Sequence, residues 1–290
     1  MKINQFRPQD SKFTEVLESI ALKPEMLYCR GFLPAGRPKT VAIVGSRKNT
    51  TYGEEIAYKL AYELAKRQVV IVSGLAYGID SIAHRGAVDA GGITIGVLGN
   101  EIETIRPVAH EGLAEKMIKL GGAVISEYSR DGLMPKSMKV SFLMRNRIIA
   151  GLADVVVVVE AAEKSGSLNT AMHALEQGKD LLAVPGNINQ VMSAGCNRLI
   201  QQGAMPYLGV DDVLNLLFPV KKKRKLEQMS IFGDSEMETE ILRLIASGMN
   251  DGDEIINKIS IQSHEFSQTI TMLEIKGRVK ALGMNKWIIV

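Results

Sequence analysis

Val41-Ala42-Ile43-Val44-Gly45-Ser46-Arg47 decides how the chain is read. Four apolar residues run without a polar break into a glycine, a hydroxyl and a guanidinium. Such a run reads as a strand covered on both faces, as in a parallel sheet packed under helices. Ile56, Leu60 and Leu64 follow at helical spacing, so strand, tight turn and helix succeed one another. The glycine gives the turn backbone freedom; the hydroxyl, guanidinium and helix start suit an anion, with phosphate the natural candidate. The same residues also suit a plain strand-to-helix turn with an exposed arginine, and both readings stand at this point.

The pattern then repeats. Apolar strands at 69–72, 93–98, 123–126, 155–159 and 181–184 alternate with helical segments at 79–88, 109–119, 142–152, 168–177 and 193–202. A short strand near 205–208 precedes a helix at 211–217. Glycines at 91–92, 121–122, 178 and 203 close the helices. This alternation implies an α/β fold with a doubly wound parallel sheet of Rossmann type over 41–217. Ligands of such sheets lie beyond the carboxyl ends of the strands. Loops at 45–47, 73–74, 127–140, 161–167 and 185–192 should therefore open on one edge.

Before that domain, residues 1–40 read as a short lead, with an edge strand at 28–33. After it, 218–235 reads as a linker containing Lys221-Lys222-Lys223-Arg224-Lys225, either a solvated segment or a non-specific phosphate contact. Residues 236–290 carry three amphipathic segments and a hairpin around Gly283-Met284-Asn285, the order of a winged helix-turn-helix. Its third helix, 263–275, has one early histidine, two glutamates and little positive charge, which is poor equipment for a major groove.

At 290 residues the chain has room for one large domain and a small one, and 46% hydrophobic with 23% charged residues is ordinary globular composition. A net charge of +3 permits a nucleic-acid partner without requiring one. Cys29 and Cys196 are far apart, which suits a reduced, cytoplasmic protein. No Cys/His spacing marks a metal site, the first residues do not resemble a signal peptide, and no apolar run reaches membrane-spanning length.

Three constellations carry the chemistry. The first is Lys139, Phe142, Arg145, Asn146 and Arg147. Placed near a helix N-terminus, Arg145 and Arg147 would oppose the macrodipole, a conflict that an anion relieves. Two residues apart on a helix, they point about 200° apart, so one can face a ligand while the other pairs inside. Phe142 among cations suits base stacking; alternatively it is core and the arginines hold local carboxylates. The second is Lys164-Ser165-Gly166-Ser167, whose backbone could make a phosphate nest or receive the first constellation's side chains, with Ser167 as N-cap. The third is 73–84, where Gly74 and Gly78 allow close backbone approach and Asp80 could cap a helix or orient Arg47. His84 shares Asp80's helical face but has no nucleophile beside it, so it reads as structural. No Walker lysine and no dinucleotide glycine fingerprint follows a strand, so no cofactor is expected.

Taken together, Ile43-Val44-Gly45-Ser46-Arg47, Ser73-Gly74-Leu75-Ala76-Tyr77-Gly78-Ile79-Asp80, Arg145-Asn146-Arg147-Ile148-Ile149-Ala150-Gly151-Leu152, Glu160-Ala161-Ala162 with Ser165-Gly166-Ser167-Leu168, and Val184-Pro185-Gly186 with Gly195-Cys196-Asn197 resemble the DNA-processing protein A family, DprA or Smf. The resemblance spans roughly 25–217. It implies an extended Rossmann domain that binds single-stranded DNA, forms a homodimer and loads RecA recombinase during natural transformation; the leading reading is accordingly a non-enzymatic protein that binds and protects incoming single strands. It maps Ser46, Arg47, Lys139 and Phe142 onto the family's DNA pocket. The lead is too short for the helical domain many members carry first, and Leu143 stands where members usually have proline. The alternative is a nucleotide-processing hydrolase of the lysine-decarboxylase-like, phosphoribohydrolase group. Those enzymes carry a glutamate after the loop corresponding to 165–170, where this chain has Ala171-Met172.

Overall fold

The computed structural model describes residues 2–132, 135, 137–219 and 233–289. The chain divides into two compact units, one ending at Pro219 and one formed by the later residues. In the first unit, β1 (Ile3–Phe6), β2 (Leu27–Gly31) and β3 (Thr40–Val44) are followed by α1 (Thr51–Lys66), β4 (Val70–Ser73), α2 (Ile79–Asp89), β5 (Thr94–Leu98), α3 (Glu111–Lys119) and β6 (Ala123–Ser126). Then come α4 (Met138–Leu152), β7 (Val155–Val158), α5 (Ser167–Glu176), β8 (Asp180–Ala183), α6 (Ala194–Gln201), β9 (Met205–Pro206) and α7 (Val210–Leu217).

These strands form one nine-stranded sheet in the order β1-β2-β6-β5-β4-β3-β7-β8-β9. From β6 to β9 every pairing is parallel. Successive strands step outward from β3 to β6 on one side and from β7 to β9 on the other. The winding reverses between β3 and β7, the position where open α/β sheets form their ligand crevice. The quoted stretch is thus a central strand, and its alternation serves two cores. Val41 and Ile43 pack with α1 and α2, while Ala42 and Val44 pack with α4 and α5.

The lead differs from its expectation. Residues 28–33 were to be an edge strand, but β2 is interior, antiparallel to β6 on one side and to β1 on the other. Phe13 and Leu17, in the connection between β1 and β2, are wholly buried in the core beneath α4. Leu17 packs so closely on Gly151 that a Cβ there would lie 2.7 Å from Leu17 Cδ2. Helix α4 also starts earlier than the 142 expected, at Met138.

The second unit contains α8 (Glu236–Ala246), α9 (Gly252–Ile259) and α10 (Ser263–Ile275), then β10 (Val279–Gly283) paired with β11 (Lys286–Ile289). Met284 and Asn285 turn the hairpin with φ of 49° and 55°. Asn250 O accepts from Trp287 N and Asn285 O accepts from Gly252 N, both at 2.8 Å, so the hairpin is tied to the α8–α9 connection. Most of the expected basic linker, 220–232, lies outside the described residues.

Candidate functional site

A cleft of about 680 Å³ opens at the carboxyl ends of β3 and β7. Its walls come from the turn after β3 (Gly45, Ser46, Arg47, Lys48), the start of α4 (Met138, Lys139, Phe142), and the loop into α5 (Ser165, Gly166, Ser167). Residues separated by more than a hundred positions meet here because the winding reverses at this point.

The turn after β3 is held by the loop after β7. Ser46 N donates to Glu160 O at 2.7 Å. The Glu160 carboxylate accepts from Thr50 N at 2.8 Å and Thr50 Oγ1 at 2.6 Å, just before α1 begins. Gly45 does not use left-handed backbone freedom; it is small because a Cβ would sit 2.6 Å from Ile79 Cγ1. Ser46 Oγ lies 3.4 Å from Met192 Sδ and accepts from Lys48 N at 3.0 Å. Arg47 and Lys48 are both exposed. Among the described residues Arg47 has no carboxylate partner; its guanidinium carbon lies 5.4 Å from the Phe142 ring centroid. Lys139 is exposed on the first turn of α4. Phe142 is half-buried, packed against Gly99, with the Arg145 guanidinium 5.8 Å from its centroid.

Arg145 occupies a different place from the one expected. It stands two turns into α4, so its charge does not oppose the helix N-terminus, and it is 4% exposed. Its Nη1 donates to Gly74 O at 2.9 Å and to Val97 O, and its Nε to Asn146 Oδ1 at 3.2 Å. Burial lowers its pKa to about 10, opposed by the nearby Asp80. The Asp80 carboxyl is itself raised by burial, with Arg145 acting against that rise. Gly74 admits both: a Cβ would lie 2.6 Å from Asp80 Oδ2 and 2.7 Å from Arg145 Nη2. Gly74 therefore braces Arg145 and is not among the cleft-lining residues, whereas Arg145 is, though it is buried.

Arg147, a member of the first constellation and so a candidate to contact DNA, is corrected by its partners. It is 4% exposed and absent from the cleft lining. Its Nη2 pairs with Glu127 Oε1 at 2.6 Å, its Nε donates to Leu22 O at 2.6 Å, and its Nη1 to Met144 O at 3.0 Å. The two-residue spacing sends it to the opposite side of α4, where it fastens the chain before β2.

Asn146 reaches the α5 loop, donating from Nδ2 to Gly166 O and Asn169 Oδ1, both at 3.2 Å. The loop at 165–167 thus receives the first constellation. Gly166, not Ser167, stands at the N-cap, and the Ser165 and Ser167 hydroxyls lie 2.8 Å apart. Sequence reading missed Lys48, Met138 and Met192. Lys48, the next cation after Arg47 in one exposed turn, was findable; Met192 comes from a distant loop and carries no local signal. Among the described residues Asp80 is the sole carboxylate lining the cleft, which it shares with four cationic residues, Arg47, Lys48, Lys139 and Arg145; it forms no ion pair with Arg47, though the charges of Arg145 and Arg47 both act against the rise in its pKa.

His84 is wholly buried, with Nδ1 2.7 Å from Thr94 Oγ1. Thr94 donates its single proton to Ile71 O at 2.9 Å, so His84 Nδ1 must be the donor in that contact. Burial, with His110 contributing, lowers the His84 pKa to about 3 and keeps the ring neutral. Among the described residues no group of histidines, cysteines and carboxylates could hold a metal, and no helix is long and apolar enough to cross a membrane.

The chain was compared with known proteins. Protein Smf of Escherichia coli strain K12 is 36% identical over 282 residues, covering 95% of this chain and 75% of that protein. DNA processing protein DprA of Bacillus subtilis strain 168 is 38% identical over 216 residues, covering 74% and 71%. The X-ray structure of DNA processing protein A from Streptococcus pneumoniae superposes with a TM-score of 0.64 at 38% identity, covering 74% of each chain. The Helicobacter pylori protein, whose structure was described for its unique single-stranded DNA binding mode, gives a TM-score of 0.64 at 31% identity, covering 76% of this chain and 97% of that one. The family model for DNA recombination-mediator protein A matches residues 4–218, and the chain belongs to that family.

Proposed function

We propose that this chain binds single-stranded DNA in the cleft between β3 and β7 and acts as a recombination mediator. One observation carries the reading: three exposed cations, Arg47, Lys48 and Lys139, line one crevice with a half-buried aromatic, Phe142, and the single carboxylate among its described lining residues is buried. Cations meet phosphates and the ring offers a base-stacking surface, a combination that grips a strand with little base preference. Backbone contacts through Arg47, Lys48 and Lys139 give an expected slope of log K against log salt of about −2 on a single strand. Arg145 is excluded from that count because it is buried and donates to Gly74 O, Val97 O and Asn146 Oδ1.

Arg47→Ala with Lys139→Ala should weaken oligothymidylate binding and flatten the slope to about −0.7. Unchanged affinity and slope in a salt titration would remove the assignment. The wider role follows the family: a homodimer in the cytoplasm that protects incoming single strands and loads RecA recombinase during natural transformation. Its test is RecA filament assembly on DNA pre-coated with single-strand-binding protein, which the chain should accelerate. The later unit reads as a winged helix. Residues 233–289 hold nine acidic and six basic residues, which suits a protein contact or structural role better than duplex reading.

A further inference from the structure

Tyr77 is 53% exposed and follows Ala76, which lines the cleft. Its loop is fastened to the cleft wall from several directions. Ile79 N donates to Ser46 O at 3.1 Å, and Gly78, with φ of 76°, lies so close to Ser46 O that no side chain would fit. On the other side, His110 Nδ1 donates to Leu75 O at 2.8 Å. Leu75 is wholly buried yet held at φ of 56°, a left-handed conformation unfavourable for a branched residue. Where exposed loops are usually loose, this one is pinned in a strained form that keeps Tyr77 outside the core.

The Tyr77 and His110 rings meet at 5.1 Å between centroids with an interplanar angle of 65°. In an edge-to-face pair His110 covers at most one face of Tyr77, and the residue as a whole is 53% exposed. The packing therefore fixes the ring without using up its stacking surface. The loop that carries this ring packs directly on Ser46 and Arg47, so Tyr77 adjoins that wall of the cleft.

We propose that Tyr77, braced by His110, is a second nucleobase-stacking subsite, continuous with the cleft and used by the bases that follow those near Phe142. The subsite rests on the single-strand reading above, and its occupant is a base of the same strand. Stacking is tolerant of base identity, so the subsite adds affinity and length dependence without adding sequence preference.

The test measures oligothymidylate affinity in the full-length protein for Arg47→Ala, Tyr77→Phe and Tyr77→Leu, with thermal melts to check folding. Tyr77→Phe should bind as the parent does. Tyr77→Leu should lose at least about five-fold on long oligomers and little on oligomers short enough to fill only the cleft. In a Trp287→Phe background, Tyr77→Trp should show fluorescence quenched by long oligomers only. If Arg47→Ala weakens binding and Tyr77→Leu does not, the subsite is wrong and the cleft stands. If Phe and Leu lose equally, the ring is structural and the proposal fails. If Arg47→Ala changes nothing, the single-strand reading falls and takes the subsite with it.

Discussion

Arg47, Arg145 and Arg147 are one residue type with different duties, set by what each donor meets. Arg47 is exposed without a carboxylate partner among the described residues, so Arg47→Ala should cost DNA affinity and leave the melting temperature unchanged. Arg145→Ala should instead destabilise the protein by about 3–5 kcal/mol in urea unfolding, because it leaves Asp80 and two backbone carbonyls without their buried cation. Equal stability of the two variants would contradict this division. The sequence offered all three arginines as candidates for an anion, Arg47 in the opening turn and the other two in the first constellation, since residue type and spacing do not record burial. It did state that two positions two apart diverge around a helix, and Arg147 follows that rule. His84 gives a pH signature at the same scale. Its native pKa of about 3 lies below the ordinary value of 6.5. Between those values the unfolded chain holds the extra proton, so stability present above pH 6.5 is lost as pH falls, by up to about 1.4 kcal/mol per unit. Unfolding free energies measured from about pH 6.5 to about pH 5 should fall less steeply in His84→Gln; matching slopes would rule the histidine out as the cause.

At the scale of elements, the parallel strands and their helices were legible because a doubly covered strand must be continuously apolar and a surface helix must repeat every three to four residues. β1 was not legible. Its Ile3-Asn4-Gln5-Phe6 has two polar residues at its centre and takes its identity from β2 across the ladder. The start of α4 was hidden for a related reason: Met138, Lys139 and Val140 face solvent and the cleft, leaving no buried stripe to mark the first turn. The start of α1 depends on a partner far along the chain. Thr50 caps the helix, accepting from Gly53 N at 3.3 Å, while its hydroxyl donates to Glu160. Thr50→Ala should cost roughly 2–4 kcal/mol, combining the cap with a hydrogen bond to a carboxylate, and Thr50→Ser should restore most of it. Chemical denaturation of the pair would show whether hydroxyl or methyl is responsible.

At the scale of the molecule, the reversal of winding between β3 and β7 converts separate sequence fragments into one crevice, and the alternation of strands and helices was enough to foresee which edge would carry it. The depth at which each side chain would sit was not foreseeable, because depth is set by packing between layers. The same reversal has a consequence for selectivity. In dinucleotide-binding sheets the helix after the first strand offers its free N-terminal amides to a pyrophosphate. Here the Glu160 carboxylate occupies that end of α1, with Glu54 in the first turn beside it. A free nucleotide arriving from the cellular pool meets repulsion where a cofactor would find its anchor. On the proposed single-strand reading, a polymer engaging Arg47, Lys48 and Lys139 at once gathers weak contacts that a mononucleotide lacks. Avidity along a strand then stands in for a single tight phosphate site, and mononucleotides should displace a bound oligothymidylate poorly in a competition assay.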